Sequence, residues 1–116
     1  MNKIYSMLGL ASKAGKLASG EDVVRNSIRQ GKVKLLIISE DASENTKKRF
    51  LNASEYYKVQ VVIWGSKEQL GFSIGKSDRS VIGINDDNFK KSVLTLMGTD
   101  NLAATAGKKS GGELNE

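Results

Sequence analysis

The sequence predicts a three-layer α/β/α sandwich built around a central mixed sheet of about four strands. Helix-like and strand-like segments alternate along the chain. The strand-like segment at 33–39 is an apolar run, which is typical of a strand covered by helices on both faces. With 116 residues, the chain has the length of a single domain.

The first predicted helix begins at Asn2, whose side chain can cap the first turn, and ends at Gly15. Its apolar residues recur at steps of three and four positions, as on one face of a helix. These residues are Ile4, Met7, Leu8, Ala11 and Ala14. Leu17 and Ala18 follow as a short extended segment.

The second predicted helix begins at Ser19 or Gly20 and ends at Gly31. Glu21 and Asp22 lie in its first turn, where the helix dipole favours negative charge. Its predicted buried residues are Val24 and Ile28.

Two helices and two strands are predicted between residues 33 and 74. A buried strand at 33–39 precedes a helix that begins at Asp41 or Ser43, and a strand at 59–64 precedes a short helix that begins at Ser66. The predicted inward-facing residues of the longer helix are Phe50, Ala53 or Ser54, and Tyr57.

A glycine-rich segment at 71–77 superficially resembles a phosphate loop, but it coincides with the end of the short helix, near Ile74. Only three residues separate Gly71 from Gly75, one fewer than such a loop requires. We therefore predict that Gly71 allows close packing and that Gly75 ends the helix.

A last strand at 80–84 and a last helix beginning at Asn85 or Asp86 complete the predicted domain. The inner side of this helix is predicted to hold Phe89, Val93, Leu96 and Met97. Residues 99–116 are rich in Gly, Ala, Lys, Ser and Thr, a composition typical of a disordered tail. We expect a domain at 1–98 and a tail at 99–116.

The composition argues against an enzyme. The chain contains no His and no Cys, the commonest general base and the thiolate nucleophile or metal ligand. Carboxylates and lysines form no converging set. We therefore expect no catalytic residues, no metal and no cofactor. There is no signal-peptide pattern and no apolar run of the roughly 20 residues that span a bilayer, so we expect a cytoplasmic protein.

The positive charge is concentrated in the first third of the chain. The net charge of +5 arises entirely within residues 1–39, which hold seven Lys and Arg against two acidic residues. Arg25 and Arg29 lie four positions apart and share a helix face, followed by Lys32 and Lys34. A localised excess of this kind favours a polyanion-binding face, although a solvated surface would have the same composition.

Several sequence blocks resemble the kink-turn-binding ribosomal protein superfamily, and in particular its small bacterial YlxQ-type branch. The resemblance covers roughly residues 3–97. The blocks that carry it, in order, are LGLASKAGKL (8–17), SGEDVVRNSIRQGKVK (19–34), VKLLIIS (33–39), EDAS (40–43), NTKK (45–48) and WGSKEQLG (64–71).

This resemblance implies a three-layer α/β/α fold that binds kinked RNA at the start of the second helix and at loops near Leu70-Gly71. In kink-turn binders that helix begins Gly, any residue, Asn or Lys, Glu or Gln, with a Lys six residues after the Gly. Here Asp22, Val23 and Asn26 occupy those positions. The stretch at 76–79, KSDR, is polar where the binders are mostly apolar.

We therefore predict a monomeric, non-catalytic protein that binds structured RNA, such as ribosomal RNA, with weakened kink-turn recognition. The alternative is a protein-interaction module on a translation or transcription assembly, since a valine and an aspartate suit a protein partner better than RNA. The residues predicted to bind RNA are Lys16, Gly20, Asp22, Val23, Arg25, Asn26, Arg29, Lys32, Lys67, Leu70, Lys76 and Arg79.

Overall fold

The computed structural model describes residues 2–98, and the predicted tail at 99–116 lies outside them. Within this range there are five helices and four strands. In chain order they are α1 (Lys3–Lys13), β1 (Leu17–Ser19), α2 (Glu21–Arg29), β2 (Leu35–Ile38), α3 (Glu44–Tyr57), β3 (Gln60–Ile63), α4 (Lys67–Ser73), β4 (Val81–Ile84) and α5 (Asp87–Met97). Every predicted helix and strand is present; β2, β3 and β4 are shorter than predicted, and β1 is one residue longer.

The four strands form one mixed sheet in the order β1-β4-β2-β3. β2 and β3 are parallel, whereas β4 runs antiparallel to both of its neighbours. We call the edge that holds Ser19, Ile38, Ile63 and Val81 the upper edge. The opposite edge, with Leu17, Leu35, Gln60 and Ile84, is the lower edge. α2 begins at the upper edge and ends at the lower one.

Helices cover both faces of the sheet, which confirms the three-layer sandwich. One core cluster joins α1, α4 and α5 to the sheet through residues such as Leu8, Leu70 and Val93. The other joins α2 and α3 to the opposite face through Val24, Ile28 and Phe50. The four residues of β2 alternate between these two clusters, so the strand is buried on both sides.

Some predicted core positions were wrong. On α5, Leu94 is buried and Leu96 is 38% exposed, because the buried stripe follows Phe89, Val93 and Met97 with Leu94 beside it. On α3, Phe50 and Ser54 face inward one turn apart, and Tyr57 lies at the helix end, where its ring turns outward. Ala14 ends α1 and is exposed.

Candidate nucleic-acid interface

The upper edge is organised around Gly20, which joins β1 to α2. Its φ of +91° and ψ of 149° belong to a region that is essentially restricted to glycine. The Gly20 N–H donates to the Val81 carbonyl at 3.2 Å, which fixes the start of α2 against β4. A Cβ atom at this position would have no neighbour within 4 Å, so the space in front of Gly20 is open.

The first turn of α2 offers backbone donors to that open space. A helix leaves its first N–H groups without intrahelical partners. Gly20 has no side chain to cap them, and no side-chain cap is formed among the residues that the structure describes. These donors and the positive end of the helix dipole suit an anion or the acceptor edge of a base.

Arg79 holds the loop at 74–80 beside the start of α2. Its Nε donates to Ser19 Oγ at 3.3 Å, and one terminal guanidinium nitrogen donates to the Asp78 carbonyl at 2.9 Å. Its backbone N–H donates to the Lys67 carbonyl at 2.9 Å. The loop that follows α4 and the β1–α2 junction therefore form one continuous surface.

Gly71 allows the loop at 74–80 to pack closely on α4, as predicted from its place in the short helix. A Cβ atom on Gly71 would lie 1.9 Å from the Ser77 carbonyl oxygen and 2.5 Å from its carbonyl carbon. The backbone at Ser77 packs directly onto α4 in the space that a side chain would fill. Gly71 is therefore required for the shape of the upper edge.

The loops after β2 and β3 are also bound to each other at this edge. The Asp41 carboxylate accepts a hydrogen bond from the Lys67 N–H at 2.9 Å, and the Glu40 N–H donates to the Gly65 carbonyl at 2.7 Å. The Lys67 N–H lowers the pKa of Asp41 below its ordinary value of 3.8, because it stabilises the charged carboxylate.

Two charged pairs neutralise part of the charge near the start of α2. Arg25 binds Asp22 at 2.8 Å, so the charge of its guanidinium group is already paired within α2. On the neighbouring face, Glu21 accepts hydrogen bonds from Arg49 and Thr46 of α3. The contacts of Glu21 hold α2 to α3, and the two pairs leave fewer unpaired cations at the upper edge.

Eight of the twelve predicted RNA-binding residues lie on or near the upper edge. They are Gly20, Asp22, Val23, Arg25, Asn26, Lys67, Lys76 and Arg79. Val23 is 55% exposed and Asn26 is exposed, so the substituted positions do face outward. Lys76 is exposed on the loop after α4, where its N–H donates to the Gly71 carbonyl.

The other four predicted residues do not belong to this surface. Leu70 is fully buried in the core cluster below α4, so its side chain anchors the helix and does not reach RNA. Lys16 precedes β1 and its carbonyl accepts from the Asn85 N–H at the lower edge. Arg29 and Lys32 lie at the end of α2. Arg29 and Lys32 were grouped with Gly20 because they are near it in the sequence, but the length of α2 places them at the opposite edge of the sheet.

Sequence reasoning missed the residues that connect the upper-edge loops, above all Ser19 and Asp41. Each bonds to a residue at least 26 positions away, in one case 60, so no local pattern indicates the pairing. Within residues 2–98 there is no group of acidic side chains arranged to hold a metal ion. None of the helices there is long and apolar enough to cross a membrane.

The fold and the upper edge define a class of small α/β/α domains whose second helix begins at an open glycine beside an arginine-anchored loop. Residues 2–95 match the Ribosomal protein L7Ae/L30e/S12e/Gadd45 family, and the chain belongs to that family.

Curated relatives agree with this assignment. The chain is 41% identical over 93 residues to the RNA-binding protein YlxQ of Bacillus subtilis, covering 80% of this chain and 93% of the relative. It is 40% identical over 95 residues to the protein of the same name from Enterococcus faecium, covering 82% and 91% of the two chains. The YlxQ-type resemblance predicted from the sequence blocks is thereby confirmed.

Solved structures share the fold. A protein of unknown function from Bacillus halodurans superposes with a TM-score of 0.80 at 38% identity, covering 84% of this chain and 99% of the other. The 15.5kD RNA binding protein of Giardia lamblia superposes with a TM-score of 0.70 at 22% identity, covering 85% of each chain. The second similarity confirms the α/β/α sandwich.

Proposed function

We propose that this protein is a non-catalytic RNA-binding protein that contacts structured RNA, such as ribosomal RNA, through its upper edge. The observation that carries this proposal is the open first turn of α2 in front of Gly20, beside the loop that Arg79 anchors. The names of the YlxQ relatives support it. In this proposal the protein acts as a cytoplasmic monomer without a cofactor.

The chemistry of the upper edge suits RNA. Backbone N–H groups at a helix start can donate to phosphate oxygens or to base acceptors. Lys67 and Lys76 are exposed and form no salt bridge within the described residues, so they are available to neutralise phosphates. Binding of this kind weakens as salt concentration rises, because cations compete for the phosphates.

The side chains of the first α2 turns support backbone contacts more than kink-turn recognition. Asp22 presents an acceptor where a kink-turn guanine also presents acceptors, and its carboxylate binds Arg25. Val23 is exposed but cannot donate a hydrogen bond from its side chain. We infer that the protein binds structured RNA with little discrimination between kinked and straight helices.

The test is the affinity of the purified protein for a kink-turn RNA and for a matched straight duplex, each at low and at near-physiological salt. We expect both RNAs to bind, with less than about a tenfold preference and a steep loss of affinity with salt. Absent or salt-independent binding to both would contradict RNA binding. A large preference for the kink-turn at both salts would contradict the inferred loss of discrimination.

A second candidate function is that of a protein-interaction module. A groove between α1 and α4 carries two large exposed apolar side chains, Leu10 at 55% and Phe72 at 73% exposure. In nuclease-treated lysate, a translation or transcription protein retained by the wild type and lost by Phe72→Ser would support this function. Loss of every bound protein after nuclease treatment would contradict it.

A further inference from the structure

The lower edge carries a basic cleft that the family resemblance does not include. The cleft has a volume of about 530 Å³ and lies between the ends of α2 and α3, the start of β3 and the first turn of α5. Its charged and aromatic lining consists of Arg29, Lys34, Tyr57, Lys58 and Lys90. We call this set the lower cleft.

The four cations of the lower cleft come from four different parts of the chain. Arg29 ends α2, Lys34 precedes β2, Lys58 follows α3 and Lys90 lies in α5. Arg29 and Lys34 belong to the charge excess within residues 1–39, whereas Lys58 and Lys90 lie outside it. Tertiary folding therefore brings together positive charges that are distant in the sequence. Converging cations of this kind raise the local positive potential and attract a polyanion.

These cations have no acidic partner among residues 2–98. No acidic residue lines the lower cleft, and none of its four cations forms a salt bridge within residues 2–98. The adjoining groove adds Asp87 and Lys91, whose charges offset each other. By contrast, Arg25 and Arg49 at the upper end of the same two helices are bound to carboxylates.

The left-handed backbone conformation of Lys58 indicates a functional role for its side chain. Lys58 is the one non-glycine residue with positive φ among the described residues, at φ 58° and ψ 47°. Glycine or asparagine usually occupies this left-handed position after a helix, and other residues cost about 1 kcal/mol there. This backbone strain therefore occurs at a lysine that lines the lower cleft.

An exposed aromatic pair lies at the mouth of the lower cleft. The rings of Tyr56 and Tyr57 meet edge to face with centroids 4.8 Å apart, and both side chains are exposed. Tyr57 lines the cleft itself. Aromatic rings next to unpaired cations provide a stacking surface for an unpaired base or a ribose beside its phosphate.

We propose that the lower cleft is a second RNA-binding surface, which neutralises the phosphate backbone of a segment separate from the one at the upper edge. This inference rests on the proposed function, because both surfaces would engage the same structured RNA. The nine residues of α2 separate the two surfaces by about 13 Å. The lower cleft adds affinity that does not depend on sequence, since phosphate contacts position RNA without reading its bases.

The test compares a cleft triple variant, Lys34→Gln, Lys58→Gln and Lys90→Gln, with a control triple that removes the same charge elsewhere. The control positions Lys3, Lys13 and Lys48 are exposed and do not line the cleft. Affinity is measured for a kink-turn RNA and a straight duplex over a range of salt concentrations. For the cleft triple we expect about a tenfold loss on both RNAs and a salt slope shallower by about 2 to 3.

The control triple is expected to change the salt slope by less than about 1. Equal effects of the two triples would overturn the proposal, because they would show a response to net charge alone. Unchanged RNA affinity in the cleft triple, together with lost binding to polyglutamate, would also overturn it and assign the lower cleft to an acidic protein. If the wild type binds neither RNA, the proposed function fails, which is a distinct result.

Lys58→Gly separates the charge of the lower cleft from its effect on folding. Glycine relieves the left-handed strain, so we expect a higher melting temperature together with weaker RNA binding. Gly15→Ala introduces left-handed strain at a position that does not line the lower cleft and removes no charge, so its lower melting temperature should leave RNA affinity unchanged. Unchanged affinity in Lys58→Gly would overturn the role of this lysine.

Discussion

The two ends of the sheet bear different kinds of positive surface. At the upper edge, Arg79, Arg25 and Arg49 are bound to oxygens of the protein itself, and the available donors are backbone N–H groups fixed by α2 together with Lys67 and Lys76. In the lower cleft the cations form no ion pairs among the described residues. Fixed donors hold a phosphate or a base edge in one position, whereas free cations attract any phosphate backbone.

The largest expected effect comes from Gly71→Ala, which alters only the upper edge. A methyl group would overlap the Ser77 backbone, so the loop at 74–80 must move away from α4. We expect a loss of about 3 kcal/mol in the free energy of unfolding, measured by denaturant titration. Any RNA binding left in the folded fraction should retain the salt slope of the lower cleft.

Gly75→Ala is the matched control for Gly71→Ala, because it lies in the same loop but a Cβ atom there meets nothing within 4 Å. Its positive φ of 74° should cost about 1 kcal/mol. Equal stability losses in the two variants would show that loop packing on α4 is not what Gly71 provides.

The next largest effect is a gain of discrimination. Asp22→Asn, Val23→Glu and Asn26→Lys together restore the residue pattern of kink-turn binders on a helix that is already in place. Each recovered base contact contributes about 1 to 3 kcal/mol. We expect the triple to prefer a kink-turn RNA over a straight duplex by about 2 kcal/mol more than the wild type does.

Asn26→Lys alone is the control for that triple, because it adds charge without restoring the first turn. It should raise affinity for both RNAs equally. If the triple gains no preference, then the upper edge does not hold RNA in the family's orientation.

The fold was predictable to a large extent because it depends on local patterns. Caps at Asn2, Ser43 and Ser66 bond as the sequence indicates, and the apolar run of β2 is buried on both faces. Buried residues were predicted wrongly where a helix has two possible apolar faces, as at Leu94 and Leu96 of α5. The orientation of Tyr57 depends on how α3 ends, which the periodicity of its apolar residues does not reveal.

A smaller effect is expected from Gly20→Ala. Alanine at φ +91° is strained, although the space in front of the residue is open. We expect about 1 kcal/mol of destabilisation, together with weaker binding at the upper edge as the first turn of α2 shifts. Gly15→Ala, at another open position with positive φ that lines neither surface, should cost about as much stability. Equal effects of both variants on RNA affinity would contradict a specific role for Gly20.

The smallest effect is a pH dependence of the upper edge. Because the folded-state pKa of Asp41 lies below its ordinary 3.8, its charged form stabilises the folded protein above that value. This contribution should be lost as the pH falls from 3.8 through the lowered pKa. Melting temperatures of the wild type and Asp41→Asn should therefore converge on acidification, since the amide retains an acceptor but does not titrate. Parallel curves would contradict the linkage.

The candidate site was less predictable than the fold, because its contacts join distant parts of the chain. The sequence placed Gly20, Val23 and Arg79 on the family's surface, but it also grouped Lys16 and Lys32 with them. Only the courses of β1 and α2 show that these lysines lie at the lower edge. No sequence pattern singles out Lys58 and Lys90, because only the packing of α3 and α5 brings them to the same cleft.

Site-directed crosslinking tests the two-surface account most directly, since the chain contains no cysteine of its own. A photocrosslinker would be attached to Val23→Cys at the upper edge, to Gln60→Cys, whose parent residue also lines the lower cleft, or to Leu10→Cys on the outer face of α1. All three would be mixed with the same structured RNA. We predict crosslinks from the first two positions, to different RNA segments, and none from the third. Crosslinks from Leu10→Cys alone would contradict the account.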